Sequence, residues 1–141
     1  MEKVADVLCL NPPTQASSSR GDLPSALAND GNPATAWRAE KPGASWQVFL
    51  EVNYDVERVT LNFPEEANHR YDIDVAGGDL QWRTVIDQSD TPRTDKRRLH
   101  AGDFGRNLSY IRVRFTTTPG SPVPALAEVQ VALEQAVGEI T

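Results

Sequence analysis

In the stretch Trp46-Gln47-Val48-Phe49-Leu50-Glu51-Val52 every second side chain is firmly apolar, and after a short Tyr54-Asp55 connection Val59, Leu61 and Phe63 resume the same period. A repeat of two is the signature of a strand with one face buried, because successive side chains point to opposite sides of a pleated backbone. The spacing predicts a hairpin over residues 46–63 with one face in a core. Working outward, Tyr71, Ile73 and Val75 alternate with Asp72, Asp74 and Ala76 and end at Gly77-Gly78-Asp79, after which Leu80, Trp82, Thr84 and Ile86 resume. This reads as a second hairpin with a glycine-rich turn. Ile111, Val113 and Phe115 then alternate with Tyr110, Arg112 and Arg114, and Ala127, Val129 and Val131 with Glu128, Gln130 and Ala132. These last two segments are expected as facing edges of one sandwich.

Helical signals are scarce. Residues 23–29 allow a single turn after the Ser17-Ser18-Ser19-Arg20-Gly21 loop, and no segment keeps an apolar 3.6-residue period over several turns. Short strands at roughly ten-residue intervals point to an all-β antiparallel β-sandwich of the jelly-roll kind. In such a fold the sheets are consumed by packing, so function falls to the loops.

Composition narrows the function. At 141 residues the chain is one domain, 1–141, large enough for a real core. The net charge of −6 argues against a nonspecific grip on nucleic-acid phosphates, and the basic cluster Arg93, Lys96, Arg97, Arg98 is local, with Asp95 inside it. No apolar run approaches the roughly 18 residues of a membrane helix, so membrane insertion is not expected. Cys9 stands alone in an apolar stretch, which suits a buried, inert thiol. Met1-Glu2-Lys3 and the residues that follow do not form a secretory leader, as in a mature chain or a module excised from a longer one.

One loop has chemistry of its own. Ala28-Asn29-Asp30-Gly31-Asn32-Pro33-Ala34-Thr35-Ala36-Trp37 sets several oxygen donors around a forced turn and closes on a tryptophan. Asp30, Asn32 and Thr35 are oxygen ligands of the kind a hard cation prefers, and an ordinary Asx turn uses the same residues. Both readings stand at this level.

The order of the pieces, Ala16-Ser17-Ser18-Ser19, the 28–37 loop and the 46–52 strand, resembles the galactose-binding-like fold of discoidin or coagulation factor type C domains and of family 32 carbohydrate-binding modules. Arg70-Tyr71-Asp72-Ile73-Asp74-Val75 leading to Gly78-Asp79-Leu80-Gln81-Trp82-Arg83, and Tyr110-Ile111-Arg112-Val113 followed by Ala127-Glu128-Val129-Gln130-Val131, agree in order. The resemblance spans about residues 5 to 132. Two scaffold turns depart from it: Gly77-Gly78-Asp79 stands where the family more often has Asp-Gly, and Leu50-Glu51-Val52 where many members have Asp-Leu-Gly. The resemblance implies a structural Ca2+ held by Asp30, Asn32, Thr35 and Glu128, completed by carbonyls near Leu27 or Ala28. It also implies a noncatalytic, monomeric carbohydrate-binding module, extracellular or periplasmic, joined to a glycoside hydrolase or polysaccharide lyase, with a glycan or polysaccharide as partner. A protein- or cell-surface-binding module, or a spacer without a ligand, is the alternative.

A sugar site needs planar hydrogen-bonding side chains beside an apolar surface on rigid loops. Arg38, Glu40, His69, Arg93, Arg97 and Phe104 are the candidates on loops, with His69 first because Glu65, Glu66 and Asn68 around it suggest an exposed segment. Trp37, Trp46 and Trp82 occupy positions better suited to packing. No catalytic constellation is visible: Asp72 and Asp74 are expected on the outward face of a strand, and Glu65-Glu66 in a solvated turn.

Overall fold

A computed structural model describes residues 14–21, 23–28, 32, 34–67, 69–88, 94–116 and 123–135. Cys9, Asp30, Asn68 and Arg93 lie outside the described residues. The strands are β1 (Thr14–Ala16), β2 (Trp37–Arg38), β3 (Ser45–Asn62), β4 (Tyr71–Ala76), β5 (Arg83–Asp87), β6 (Arg97–Phe115), β7 (Ala125–Leu126) and β8 (Glu128–Gln135). One 3-10 turn, Ser25–Ala28, lies within the predicted 23–29 segment.

Two long strands organise the molecule. β3 and β6 pair antiparallel from Ser45 opposite Arg114 to Asn62 opposite Arg97, with register shifts between Phe49 and Arg58. At that bend the ribbon passes from one layer into the other. The first half of β3 lies between β1 and β6. The second half lies between β6 and β8. β4 and β5 extend the first layer beyond β6, and β2 pairs with β7 in a separate two-stranded piece.

The period-2 pattern explains the core. Trp46 and Val48 on β3, Ile111 and Val113 on β6, and Ile73 and Val75 on β4 are fully buried. From the other layer Val59 and Leu61 on β3 and Val129 and Val131 on β8 are buried in the same hydrophobic cluster. Each such aliphatic side chain contributes about 1.5–3 kcal/mol relative to exposure. This is the antiparallel all-β sandwich that the alternation implied.

Two expectations about pairing need correction. Residues 46–63 form no hairpin: the two halves of β3 pair with different halves of β6 and not with each other. Alternation persists through a bend as well as through a turn, so it does not separate a hairpin from a folded ribbon. Nor is the 110–115 segment an edge, since β6 runs between β3 and β4. The 71–86 hairpin is present, with Ile73 opposite Ile86 and Val75 opposite Arg83.

The ribbon geometry gives the sandwich two distinct ends. At one, Ser17 N donates to Ser45 O at 3.0 Å, Ala39 N to Pro124 O at 2.9 Å, Phe63 N to Lys96 O at 2.7 Å and Thr116 N to Arg70 O at 2.9 Å. The loops after β1, β2, β3 and β6 therefore meet there. At the other, the β4–β5 turn faces the bends of β3 and β6, where Asn107 N donates to Asp55 Oδ1 at 3.2 Å.

Candidate functional site

At the first end, Leu23, Thr35, Ala36, Arg38, Pro64 and Glu65 line much of a cavity of about 420 Å³. Arg38 is placed by β2, which is held on β7 through Trp37 opposite Leu126. Trp37 is fully buried, and its indole Nε1 donates to Ser18 O at 3.1 Å and to Ser19 Oγ at 3.0 Å. Beside this anchored ring the Arg38 guanidinium forks onto Glu65, Nη1 to Oε1 at 3.1 Å and Nη2 to Oε2. The hydrogen bond from Arg38 holds the Glu65 carboxyl below its ordinary pKa, and the same bond raises that of Arg38. The pair stays charged at neutral pH, presenting donors and acceptors side by side at a fixed angle.

Beneath this loop lies a buried polar cluster. Arg98 is fully buried and donates to three backbone carbonyls: Nε to Asp95 O at 3.0 Å, Nη1 to His69 O at 2.8 Å and Nη2 to Ala67 O at 3.1 Å. Its guanidinium carbon sits 4.7 Å from the Phe63 ring centroid, a cation–π contact. Arg98 thus ties the 63–70 loop to the segment before β6. Tyr71 Oη and His100 Nε2 are 2.6 Å apart in the same cluster.

His69 belongs to this cluster and not to an exposed loop. It is only 4% exposed, and its ring stacks on Phe63 with centroids 4.5 Å apart. Burial first, and then the positive charge of Arg98, lower its pKa to about 4. No hydrogen bond reaches its Nδ1 among the described residues. The expectation of a surface histidine fails because Arg98 draws the loop backbone inward and the imidazole fills the space against Phe63.

Phe104 is corrected in the same way. It is 1% exposed and part of the core cluster, so the flanking glycines let β6 bend around it instead of displaying it. Glu40 is exposed at the first end, its N–H donating to Ser18 Oγ at 3.3 Å. Arg97 is exposed at the start of β6, opposite Asn62. The cavity thus has Arg38 in its wall, whereas Glu40, His69, Arg97 and Phe104 do not line it. Glu65 was missed because its partner lies 27 residues away on another loop. Asp74 lies on the outward face of β4 as expected, but it is covered there, accepting from Arg112, Arg114 and Thr84.

The residues suggested for a cation are only partly described. Asn32 Oδ1 accepts from Ala34 N at 2.9 Å, the Asx-turn contact, and Thr35 Oγ1 donates to Asn32 O at 3.0 Å. Glu128 begins β8 opposite Asn62 and is buried. Among the described residues no three His, Cys, Asp or Glu side chains gather to hold a metal.

The sequence profile of the F5/8 type C domain matches residues 13–129. The chain belongs to the F5/8 type C domain family. No curated protein sequence matches it. Among solved structures, this F5/8 type C domain is similar to a family 32 carbohydrate-binding module of a Clostridium perfringens family 89 glycoside hydrolase, in complex with GlcNAc-alpha-1,4-galactose, at 21% identity and TM-score 0.78, covering 94% of this chain and 95% of that one. It is similar to chitosan-binding module 1 of a Paenibacillus chitosanase/glucanase at 26% identity and TM-score 0.72, covering 91% and 98%. A family 32 module of NanJ from Clostridium perfringens, in complex with galactose, aligns at 18% identity and TM-score 0.72, covering 84% and 91%.

Proposed function

We propose that this F5/8 type C domain is a noncatalytic carbohydrate-binding module that grips a glycan at the cavity walled by Arg38 and Glu65. One observation carries the reading: a bidentate, fixed Arg38–Glu65 pair stands at a concavity of about 420 Å³ whose other walls include Leu23, Pro64 and Ala36 along with Thr35. Adjacent sugar hydroxyls ask for a planar donor fork beside a carboxylate, and the C–H face of a pyranose asks for apolar contact. A partly exposed ion pair adds little stability by itself, so its ordered geometry is better used on a ligand. The sugar-bound structures it resembles support the class of ligand, and the family 89 glycoside hydrolase that the chain aligns with over 16% of its length supports an appended enzyme and an extracellular setting.

The module acts by tethering. Weak affinity at a single site raises the local concentration of a linked catalytic domain on its polysaccharide. A structural Ca2+ at Asp30, Asn32, Thr35 and Glu128 is part of the proposal. Glu128 opens β8, the strand that packs beside the 3-10 turn leading into this loop, and its carboxylate is an oxygen ligand of the kind Ca2+ takes. Bound there, the ion would tie the loop to β8, while the sugar is held by the chain's own side chains.

Affinity electrophoresis in soluble polysaccharides, with and without chelator, tests both parts. Wild-type protein is expected to be retarded by at least one galactose- or glucosamine-containing glycan, and Arg38→Ala to weaken that binding at least about tenfold while leaving the melting temperature nearly unchanged. Absence of retardation on every glycan would leave a spacer domain. Chelation and Asp30→Ala should each lower the melting midpoint; if neither moves it, the Ca2+ assignment is wrong.

A further inference from the structure

The far end of the sandwich carries a second concavity, of about 490 Å³, with Gly77, Asp79, Gln81, Arg83, Arg106 and Asn107 in its wall. Its arginines differ from those held in the ion pairs at the first end and on the outer face of the sheet. Arg38, Arg112 and Arg114 pair with carboxylates. Neither Arg83 nor Arg106 pairs with one among the described residues, and both are exposed. In a chain of net charge −6, two cations that form no ion pair among the described residues, with Asp79 as the one carboxylate beside them, leave one polar hollow with a positive excess that suits an anion.

The hollow is also built. Arg83 Nη2 donates to Phe104 O at 3.0 Å. The guanidinium rests over Gly105, where a Cβ would come within 2.0 Å of Nη2. Among the described residues two non-glycines have positive φ, Leu80 at 60° and Asn107 at 56°, and both flank this hollow, with Gly105 at 126°. Asn107 is held in that conformation by its N–H bond to Asp55, and its carbonyl lies 3.0 Å from where a Cβ on Gly77 would stand. Such backbone is costly unless the surroundings enforce it, and it concentrates where a ligand is met. Asp79 Oδ1 accepts from Gln81 N at 3.1 Å, which fixes the carboxylate at the rim with its second oxygen available to a hydroxyl.

We infer that this hollow is a second binding site, which takes the carboxylate of a uronic acid unit through Arg83 and Arg106 and accepts a ring hydroxyl on Asp79. A guanidinium pair selects a planar carboxylate, and the neighbouring acceptor separates a sugar acid from a simple anion. With a glycan site at the opposite end, one module would hold two points of an acidic polysaccharide, and the affinities would reinforce each other. The anion site stands on its own geometry; only its sugar carrier rests on the carbohydrate-binding reading.

The test is a titration of galacturonate into isotope-labelled protein, followed by the amide signals of Gly77, Gly78 and Asn107 and the side-chain Nε signal of Arg83. Galacturonate is expected to shift these signals and galactose to leave them in place. Arg106→Gln, which removes an exposed side chain that forms no ion pair among the described residues, should weaken the response at least about tenfold, and Arg83→Gln should do the same; Arg38→Ala should not. The proposal is overturned if the signals stay still with galacturonate, if Arg106→Gln responds like wild type, or if sulfate moves them equally at the same concentration. Loss of neutral-glycan binding in Arg38→Ala with these shifts intact would separate the two sites.

Discussion

Arg98 shows how much a single residue decides here. Its side chain is fully buried and serves three carbonyls from two loops, so Arg98→Ala strands those acceptors and removes the stacking on Phe63. A loss of at least about 3 kcal/mol in unfolding free energy is expected, measured by urea titration, with Arg98→Lys recovering only part of it because an ammonium does not reproduce the fork. His69 beside it makes stability depend on pH. In the fold its pKa is lowered to about 4, whereas unfolded it returns to 6.5, so between those values the unfolded chain binds more protons. Stability is full above pH 6.5 and falls as pH drops toward 4, by up to about 3 kcal/mol. His69→Phe keeps the stack and should flatten melting temperature against pH in that window; an unchanged slope would show that another group is responsible.

Among the elements, β4, β5 and β6 are joined on the outer side by one carboxylate. Asp74 on β4 accepts from Thr84 on β5 at 2.7 Å and from Arg112 and Arg114 on β6 at 2.9 and 3.0 Å. Burial would raise its pKa, but the bonds from Arg114, Thr84 and Arg112 together outweigh that and hold it below 3.8. Its contribution is therefore present above pH 3.8 and lost as pH falls through the lower folded value. Asp74→Ala leaves two guanidinium groups facing each other and should cost about 3 kcal/mol, with a double-mutant cycle against Arg112→Ala showing strong coupling. The β6 bend depends on a different device. Gly105 has φ of 126°, which only glycine adopts readily, so Gly105→Ala is expected to destabilise by about 2 kcal/mol. Gly78→Ala, where an added Cβ meets nothing within 4 Å, should change stability by less than about 0.5 kcal/mol.

For the whole molecule, the two long strands make nearly every layer depend on pairing between distant segments. Asn62 meets both Arg97 and Glu128, and the last strand covers Val59 and Leu61 with Val129 and Val131. A chain ending before residue 125 should therefore show no cooperative thermal transition, and a retained sharp transition would refute this dependence. Alternation of apolar residues determined by itself that the protein is a β-sandwich, and the 71–86 hairpin followed from its glycine turn, because both signals are local. What alternation did not determine was the partner of each strand. Leu99 is 45% exposed while Arg98 and His100 are buried, an inversion imposed by pairing Leu61 with Arg98 and Val59 with His100. Cross-strand neighbours share a face, so register with β3 overrode the hydrophobicity of β6 itself. The sites followed the same rule: Arg38 was legible as a candidate, but its pairing with Glu65, the burial of His69 and Phe104, and the presence of Arg83 and Arg106 in one hollow arise only when segments distant in sequence are brought together.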